Sequence, residues 1–444
     1  MDAPICDYVN QYCHSNALRL HMPGHKGTCM LGFESMDITE IEGADSLYAA
    51  DGIIKRSEEN ASRLFGCPTI YSTEGSSQCI RAMLHLVRLH GGENTLIAAA
   101  RNVHSSFISA VAMLDLNVRW LYPSEPDSYL SCKLDPLELE IFLINERPTA
   151  LYITSPDYLG NMADIRQISE ICHRNGVLLL VDSAHGAYLR FVNPSLHPMT
   201  LGADICCSSA HKTMPVLTGG AYLHIAESVP FIIRDQAKNA MAMFGSTSPS
   251  YLILQSLDFA NVHLVSGYRY RLKEMMHHVQ DMKEQLLAHG YQITGDEPMK
   301  VTICPKSYGY TGLELAGFLK ESGIHCEYAD PDHLVLMFST GNSSAGVLRV
   351  TQALLDMPQL PAITEMPPPF RHCEVEKSIR QAMLAPCRTV PADHALGRIL
   401  ASPSVGCPPA VPIAICGERI DLATIQRFRY YGIQQVTVLN DYGW

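Results

Sequence analysis

The chain has 444 residues, of which 47% are hydrophobic and 18% charged, and 33 Lys and Arg stand against 45 Asp and Glu for a formal net charge of −12. That length supports two or three domains with a sizeable core, and the balance is that of an ordinary globular protein. The acidic excess gives no footing for a nucleic-acid or anionic-membrane partner, and no apolar run approaches the roughly 18 residues of a membrane-spanning helix.

The 15 cysteines are odd in number and contain no C-x-x-C pair; Cys172, Cys206 and Cys207 sit in apolar runs. This is the usage of reduced, buried thiols rather than of a disulfide scaffold. The N-terminal "MDAPICDYVN" has no basic region followed by an apolar stretch, so no signal peptide is read. The expectation is a soluble cytoplasmic protein.

In chain order, short apolar runs read as strands at 69–72 (TIYS), 95–100 (TLIAAA), 118–122 (VRWLY), 149–155 (TALYITS), 177–182 (VLLLVD), 203–209 (ADICCSS) and 219–225 (GGAYLHI). Helical patterns lie between many of them, such as 76–90, ending at Gly91-Gly92, and 164–175, ending at Gly176. Strands without polar alternation, separated by helices, imply an α/β domain whose mostly parallel sheet is covered on both faces. Right-handed crossovers then bring the loops after the strands to one edge, where ligands bind. Residues 256–290 predict one long helix or two. The texture then changes to a smaller α+β domain, followed by the proline-rich link 358–370 and a last unit of about 75 residues. There is no internal repeat and no low-complexity tail.

Four stretches fall at predicted strand ends on that edge. "STEGSSQC" (72–79) sets Gly75, Ser76 and Ser77 between a strand and a helix, where backbone N–H groups and hydroxyls suit a phosphate; the plainer alternative is a serine N-cap. "RNVHSSF" (101–107) carries His104, an imidazole able to stack on a flat ring or simply a loop histidine. "LLLVDSAHGAY" (178–188) ends its strand on Asp182. A buried carboxylate there needs a cationic partner or several donors, unless it only caps the next helix. Ala184 beyond it leaves room for a ring. "CCSSAHKTMP" (206–215) carries Lys212, either a desolvated amine reactive toward carbonyls or the ion-pair partner of Asp182.

One ligand accounts for all four. Pyridoxal phosphate brings an aldehyde for Lys212, a ring nitrogen for Asp182, a face for His104 and a phosphate for Ser76, Ser77 and Ser209. Other chemistries lack their motifs: G-x-x-x-x-G-K-[ST], H-E-x-x-H and G-x-S-x-G are absent. His21 and His25 of "HMPGHKG" have no acidic or cysteine ligand in their segment, so no metal is expected there.

The order "RLHMPGHKG", "STEGSSQ", "RNVHSS", "VDSAHGA" and "SSAHKT" resembles the Orn/Lys/Arg decarboxylase family of fold-type-I pyridoxal-phosphate enzymes. Residues 37–66, "STSPSY" (246–251) and 397–420 match further family segments, so the resemblance covers nearly the whole chain. Long bacterial members carry a response-regulator-like domain before the first motif; here 20 residues precede "HMPGHKG", as in the short arginine-decarboxylase-like branch. The resemblance implies an N-terminal arm (1–30), an aspartate-aminotransferase-like cofactor-binding large domain (31–285), a small α+β domain (286–365) and a C-terminal decarboxylase-type domain (366–444).

It implies decarboxylation of arginine, lysine or ornithine, with a lean to arginine, releasing CO2 and an amine of the polyamine pathway. Lys212, Asp182 and His104 keep the roles above, and His185 joins them at the cofactor. His211 or Lys212 is the proton donor to Cα, and the sequence does not choose between them. Glu418 matches a family position facing the substrate, and Asp45 is a second candidate, although either acid is equally readable as a surface residue. This chain reads Cys416-Gly417-Glu418 where the family has Pro-Gly-Glu. A homodimer with shared active sites is implied, Ser246 and Thr247 reaching the partner's phosphate. The alternatives are another fold-type-I reaction, an aminotransferase or an aldolase, and a catalytically silent regulatory homologue.

Overall fold

The computed structural model describes residues 1–123, 128–370, 373–403 and 409–440. Seven strands carry the α/β part: β1 (Thr69–Ser72), β2 (Leu96–Ala100), β3 (Asn117–Leu121), β4 (Ala150–Thr154), β5 (Leu178–Asp182), β6 (Ile205–Ser208) and β7 (Ala221–Ile225). Each lies on or within one or two residues of its predicted run. The chain divides into two compact units, Met1–Thr95 with Ile165–Lys273, and Leu96–Asp164 with Glu274–Trp444.

In the first unit the strand order is β1-β7-β6-β5. β5 and β6 are parallel, with Asp182 level with Cys207. β7 runs antiparallel to β6 and to β1. Two reversals restore direction, so β1, β5 and β6 all end at the same edge. The interior is dry: Leu179, Leu180, Val181, Cys206, Cys207 and Leu223 are fully buried, and each large aliphatic so placed contributes about 1.5–3 kcal/mol relative to exposure. The helix Gly75–Gly91 buries Cys79, Ile80, Met83, Leu84 and Val87, while the helix Ile165–Arg174 buries a narrower stripe of Ile165, Ile168, Ile171 and Cys172. The predicted long helix resolves into Tyr251–Val265 and Tyr268–His289, separated at Gly267, whose φ of 75° breaks the helix.

The second unit holds β4-β2-β3, all parallel. It also holds an antiparallel sheet, in the order β10-β11-β9-β8, of β8 (Gln292–Thr294), β9 (Lys300–Cys304), β10 (Tyr328–Ala329) and β11 (Leu334–Met337). The helices Gly312–Glu321 and Ser344–Leu355 complete this α+β part. Beyond the proline-rich link, β12 (Cys387–Pro391) pairs antiparallel with β13 (Gln435–Leu439). Leu400, Val411, Ile413, Phe428 and Val438 pack there with Tyr129 and Leu130. Residues 404–408 of the 397–420 segment, Cys407 among them, lie outside the described residues. No helix among the described residues is long and apolar enough to cross a membrane.

Candidate active site

Three of the four stretches leave β1, β5 and β6 at their common edge, within the first unit. After β1 the chain turns at Gly75, whose φ is 69° and whose N–H donates to Gly219 O at 2.7 Å. A Cβ on Gly219 (φ 100°) would sit 2.8 Å from Thr73 O, so the two loops lie backbone to backbone. The helix Gly75–Gly91 opens here and places Ser76 and Ser77 in its first turn, where N–H groups have no helical acceptor. Ser209, just after β6, donates its hydroxyl to Ser76 Oγ at 2.9 Å.

Gln78 fastens this turn from behind. It is fully buried. Its Oε1 lies 2.6 Å from Ser72 Oγ, and its Nε2 donates to Tyr48 OH at 2.8 Å and to Met241 O at 2.7 Å. Glu74 Oε1 accepts the N–H of Ser246 at 3.0 Å, which brings the 246–251 segment to the same helix start; Ser246 and Thr247 are exposed.

Asp182 ends β5 at 2% exposure. Its Oδ1 accepts the N–H of Ala184 at 3.1 Å and the thiol of Cys207 at 3.5 Å. Burial, and then the Asp182 charge, hold the Cys207 thiol well above its ordinary value, so it remains a donor. Lys212 lies in the one-turn helix Ala210–Thr213, half-buried, with Nζ 3.1 Å from His185 Nε2. His185 itself is 5% exposed. The neighbouring His211 points its Nδ1 at Gly220 O, 3.0 Å away. Burial foremost, with the Lys212 charge adding to it, lowers the His211 pKa despite that hydrogen bond. A Cβ on Gly75 would meet only His211 Cε1, at 4.0 Å, so the space above the helix start is open.

Asp45, in the same unit, is engaged by backbone. Its carboxylate accepts from Ser46, Gly52 and Ile54 N–H groups at 2.8, 2.9 and 2.9 Å, and from Asp51 and Lys55 at 3.1 and 3.4 Å. It thereby holds the start of the helix Ile53–Phe65.

In the second unit His104 caps the helix Ser105–Leu114, its Nδ1 accepting the Ser106 N–H at 3.1 Å. The Ser105 N–H donates to Ala410 O at 2.9 Å, which docks the C-terminal segment beside it. Glu418, 5% exposed, accepts the Ile415 N–H on Oε2 at 2.8 Å. Gly417 makes that turn possible: its φ is 93°, and a Cβ would lie 2.2 Å from Lys377 O. His21 bonds Tyr12 OH at 2.6 Å and His25 faces Asp37 at 3.2 Å. Asp330, Asp332 and His333 cluster closely enough for a metal, but Lys306 already supplies a cation, 2.7 Å from Asp332 Oδ1.

The sequence pointed to Lys212, Asp182, Ser76 and Ser209; it missed that His185 meets the lysine and that Gln78 ties the turn down. A buried glutamine in the first turn of a helix was the available signal for the second.

Comparison with known proteins fits this arrangement. The family model described as Orn/Lys/Arg decarboxylase, major domain, matches residues 3–303. An arginine decarboxylase of Bacillus subtilis is 30% identical over 455 aligned positions, covering 94% of this chain and 91% of that protein. Another, from Halalkalibacterium halodurans, is 29% identical and covers 96% of this chain and 92% of its own. Among solved structures, the lysine decarboxylase of Francisella novicida superposes with a TM-score of 0.82 at 17% identity, over 99% of this chain and 81% of that one. The constitutive lysine decarboxylase of E. coli gives 0.78 at 18%, over 99% and 82%. These likenesses establish the α/β fold with its smaller α+β parts.

Proposed function

The chain belongs to the Orn/Lys/Arg decarboxylase family and is a basic-amino-acid decarboxylase; from that premise we propose that pyridoxal phosphate is its cofactor, Lys212 the amine that bears it, and arginine its substrate. The observation that carries this reading is the placement, at the shared ends of β1, β5 and β6, of a serine-lined helix start, a buried carboxylate and a half-buried amine.

The residues fit the group. The turn at Gly75 leaves open space, a helix begins there with its N-terminus facing that space, and two hydroxyls already meet there. When bound, the cofactor supplies a ring that accepts the electron pair left as CO2 departs. Ser76, Ser77 and Ser209 orient its phosphate, with Gln78 fixing the turn that holds them. Asp182 keeps a proton on the ring nitrogen, and the Ala184 N–H and Cys207 thiol hold that carboxylate in one orientation. His104 takes the ring-stacking role by its place in "RNVHSS".

His185 takes a proton from Lys212 and leaves the amine nucleophilic. Lys212 returns a proton to Cα. His211 is the weaker candidate for that step, because its lowered pKa leaves it neutral near pH 7.

Arginine is favoured because relatives matching over nine-tenths of their length carry that activity in their names. Glu418 supplies the acid for the substrate's far end. The enzyme works as a two-fold homodimer whose exposed Ser246 and Thr247 reach the partner's phosphate. It resides in the cytoplasm, consistent with fourteen cysteines among the described residues, none in a disulfide.

The test supplies arginine, lysine and ornithine separately with pyridoxal phosphate and measures CO2 and amine. Arginine is expected to give both in equal amounts; turnover of lysine or ornithine in its place overturns the substrate assignment.

A further inference from the structure

Arg427 lies on the helix Leu422–Tyr430 in the second unit and is 2% exposed. Its Nη2 donates to Thr424 Oγ1 at 3.0 Å and reaches Cys373 Sγ at 3.8 Å. Its Nε and Nη1 are buried with no hydrogen-bond partner, and among the described residues it forms no ion pair. A buried cation left in this state is costly. Arg101 repeats the pattern: it is 3% exposed, its Nε lacks a partner, and its other nitrogens reach Pro412 O at 2.9 Å and Ile413 O at 3.3 Å. Both guanidinium groups lie over the ring of Phe370, at 5.1 Å for Arg101 and 5.0 Å for Arg427.

Arg427 lines a cavity of about 10 Å³ with Ser128, Tyr129, Phe370, Ile413 and Tyr431. That is room for one atom-sized occupant. The polar side chains around it are donors. Ser128 Oγ accepts the Leu130 N–H at 3.2 Å, which leaves its own hydrogen free to point elsewhere. Burial, reinforced by Asp330 and Asp332, raises the phenols of Tyr129 and Tyr431, so both keep their hydrogens. Tyr328 donates to Asp330 Oδ2 at 3.0 Å, so Tyr129 gives its own hydrogen to Tyr328 OH at 3.2 Å, and Tyr431 is the phenol left to donate. Among the described residues no lining side chain is a carboxylate. Water would bring two hydrogens in need of acceptors; a halide brings none.

We propose that this cavity binds a small monatomic anion of the chloride class, held by Nε and Nη1 of Arg427 and by the hydroxyls of Ser128 and Tyr431. The acids nearby limit its strength without filling its place. Asp421 is occupied by the Thr424 N–H and hydroxyl, both at 2.7 Å, and Glu418 by the Ile415 N–H. Asp332 faces Lys306 and Asp330 faces His333. An oxyanion such as sulfate is too large.

The proposal is independent of the cofactor and substrate assignments. Crystals of the full chain soaked in bromide, measured at the bromine edge, should show an anomalous peak within hydrogen-bond distance of Arg427 Nε and Nη1. Melting of the holoenzyme should rise along a saturating curve when bromide or chloride replaces gluconate at fixed ionic strength. Arg427→Met should remove that dependence and be at least as stable as the parent in gluconate. Ser128→Ala, a milder change, should move the curve to higher halide. A cavity without anomalous signal, a peak confined to the surface, or an unchanged halide response in Arg427→Met would overturn it.

Discussion

The amine of Lys212 and the Nε2 of His185 are 3.1 Å apart. An N···N contact needs one donor and one lone pair. With lysine as the ammonium, His185 must be neutral and carry its hydrogen on Nδ1. The imidazole is then placed to accept the proton that keeps Lys212 from acting as a nucleophile.

His185→Ala should therefore slow the capture of pyridoxal phosphate by apoenzyme near pH 7, by roughly 10²-fold, the low end of what a positioned base contributes. Raising the pH should restore the rate. Stopped-flow absorbance across pH reads this directly, and superimposable profiles for parent and variant would reject the role.

Ser76 and Ser209 share one hydroxyl–hydroxyl contact at 2.9 Å. Replacing either with Ala should weaken capture of pyridoxal phosphate about tenfold, the value of a hydrogen bond to a charged group, while leaving unphosphorylated pyridoxal unaffected. The double variant should lose less than the sum, because the two act on one oxygen cluster. Equal losses for both aldehydes would place the phosphate elsewhere.

Asp182→Asn preserves size while removing the charge proposed to keep the cofactor's ring nitrogen protonated. Turnover should fall about 10²-fold or more with the absorbance of captured cofactor retained. Undiminished turnover would separate Asp182 from the chemistry.

Two acids proposed for the substrate should now behave differently. Asp45 serves backbone N–H groups at a helix start, so Asp45→Asn should lower the melting temperature and leave KM for arginine unchanged. Glu418→Gln should raise KM about tenfold or more, with the smaller effect on kcat. Steady-state kinetics paired with thermal melts tests both, and the reverse pattern would exchange their roles.

His197 and His224 are fully buried with ring centroids 5.0 Å apart. Burial, with the Arg190 charge adding to it, drives His197 down to about 3; His224 is driven well below its ordinary value by burial and by His197. The folded state resists protons that the unfolded chain accepts below about pH 6.5, so stability is full above that pH and falls as the pH drops toward the folded values. Each histidine adds about 1.4 kcal/mol per pH unit to the slope. His224→Phe, which also removes the partnerless Nε2, should flatten the acid-side fall of the melting temperature; an unchanged slope would contradict the assignment.

Much of the scaffold was legible because apolar runs such as Leu178–Asp182 can only be buried strands. Strand direction was less so: GGAYLHI was read into a mostly parallel sheet, yet β7 is antiparallel to both neighbours. Its cause is connection length, since residues 209–220 hold only a one-turn helix, too little for a crossover. Lys212 and Asp182 were legible because a charge at an apolar strand end demands a reason. The His185 contact was not, because it depends on how two loops 27 positions apart fold back. Nor were the partnerless Nε and Nη1 of Arg427, since a missing partner exists only in three dimensions.

The most direct test of the account is borohydride reduction of the protein with pyridoxal phosphate, followed by peptide mass spectrometry. The account predicts one stable adduct, on the peptide containing Lys212, lost in Lys212→Ala together with CO2 release. An adduct on another lysine, with Lys212→Ala still active, would contradict it.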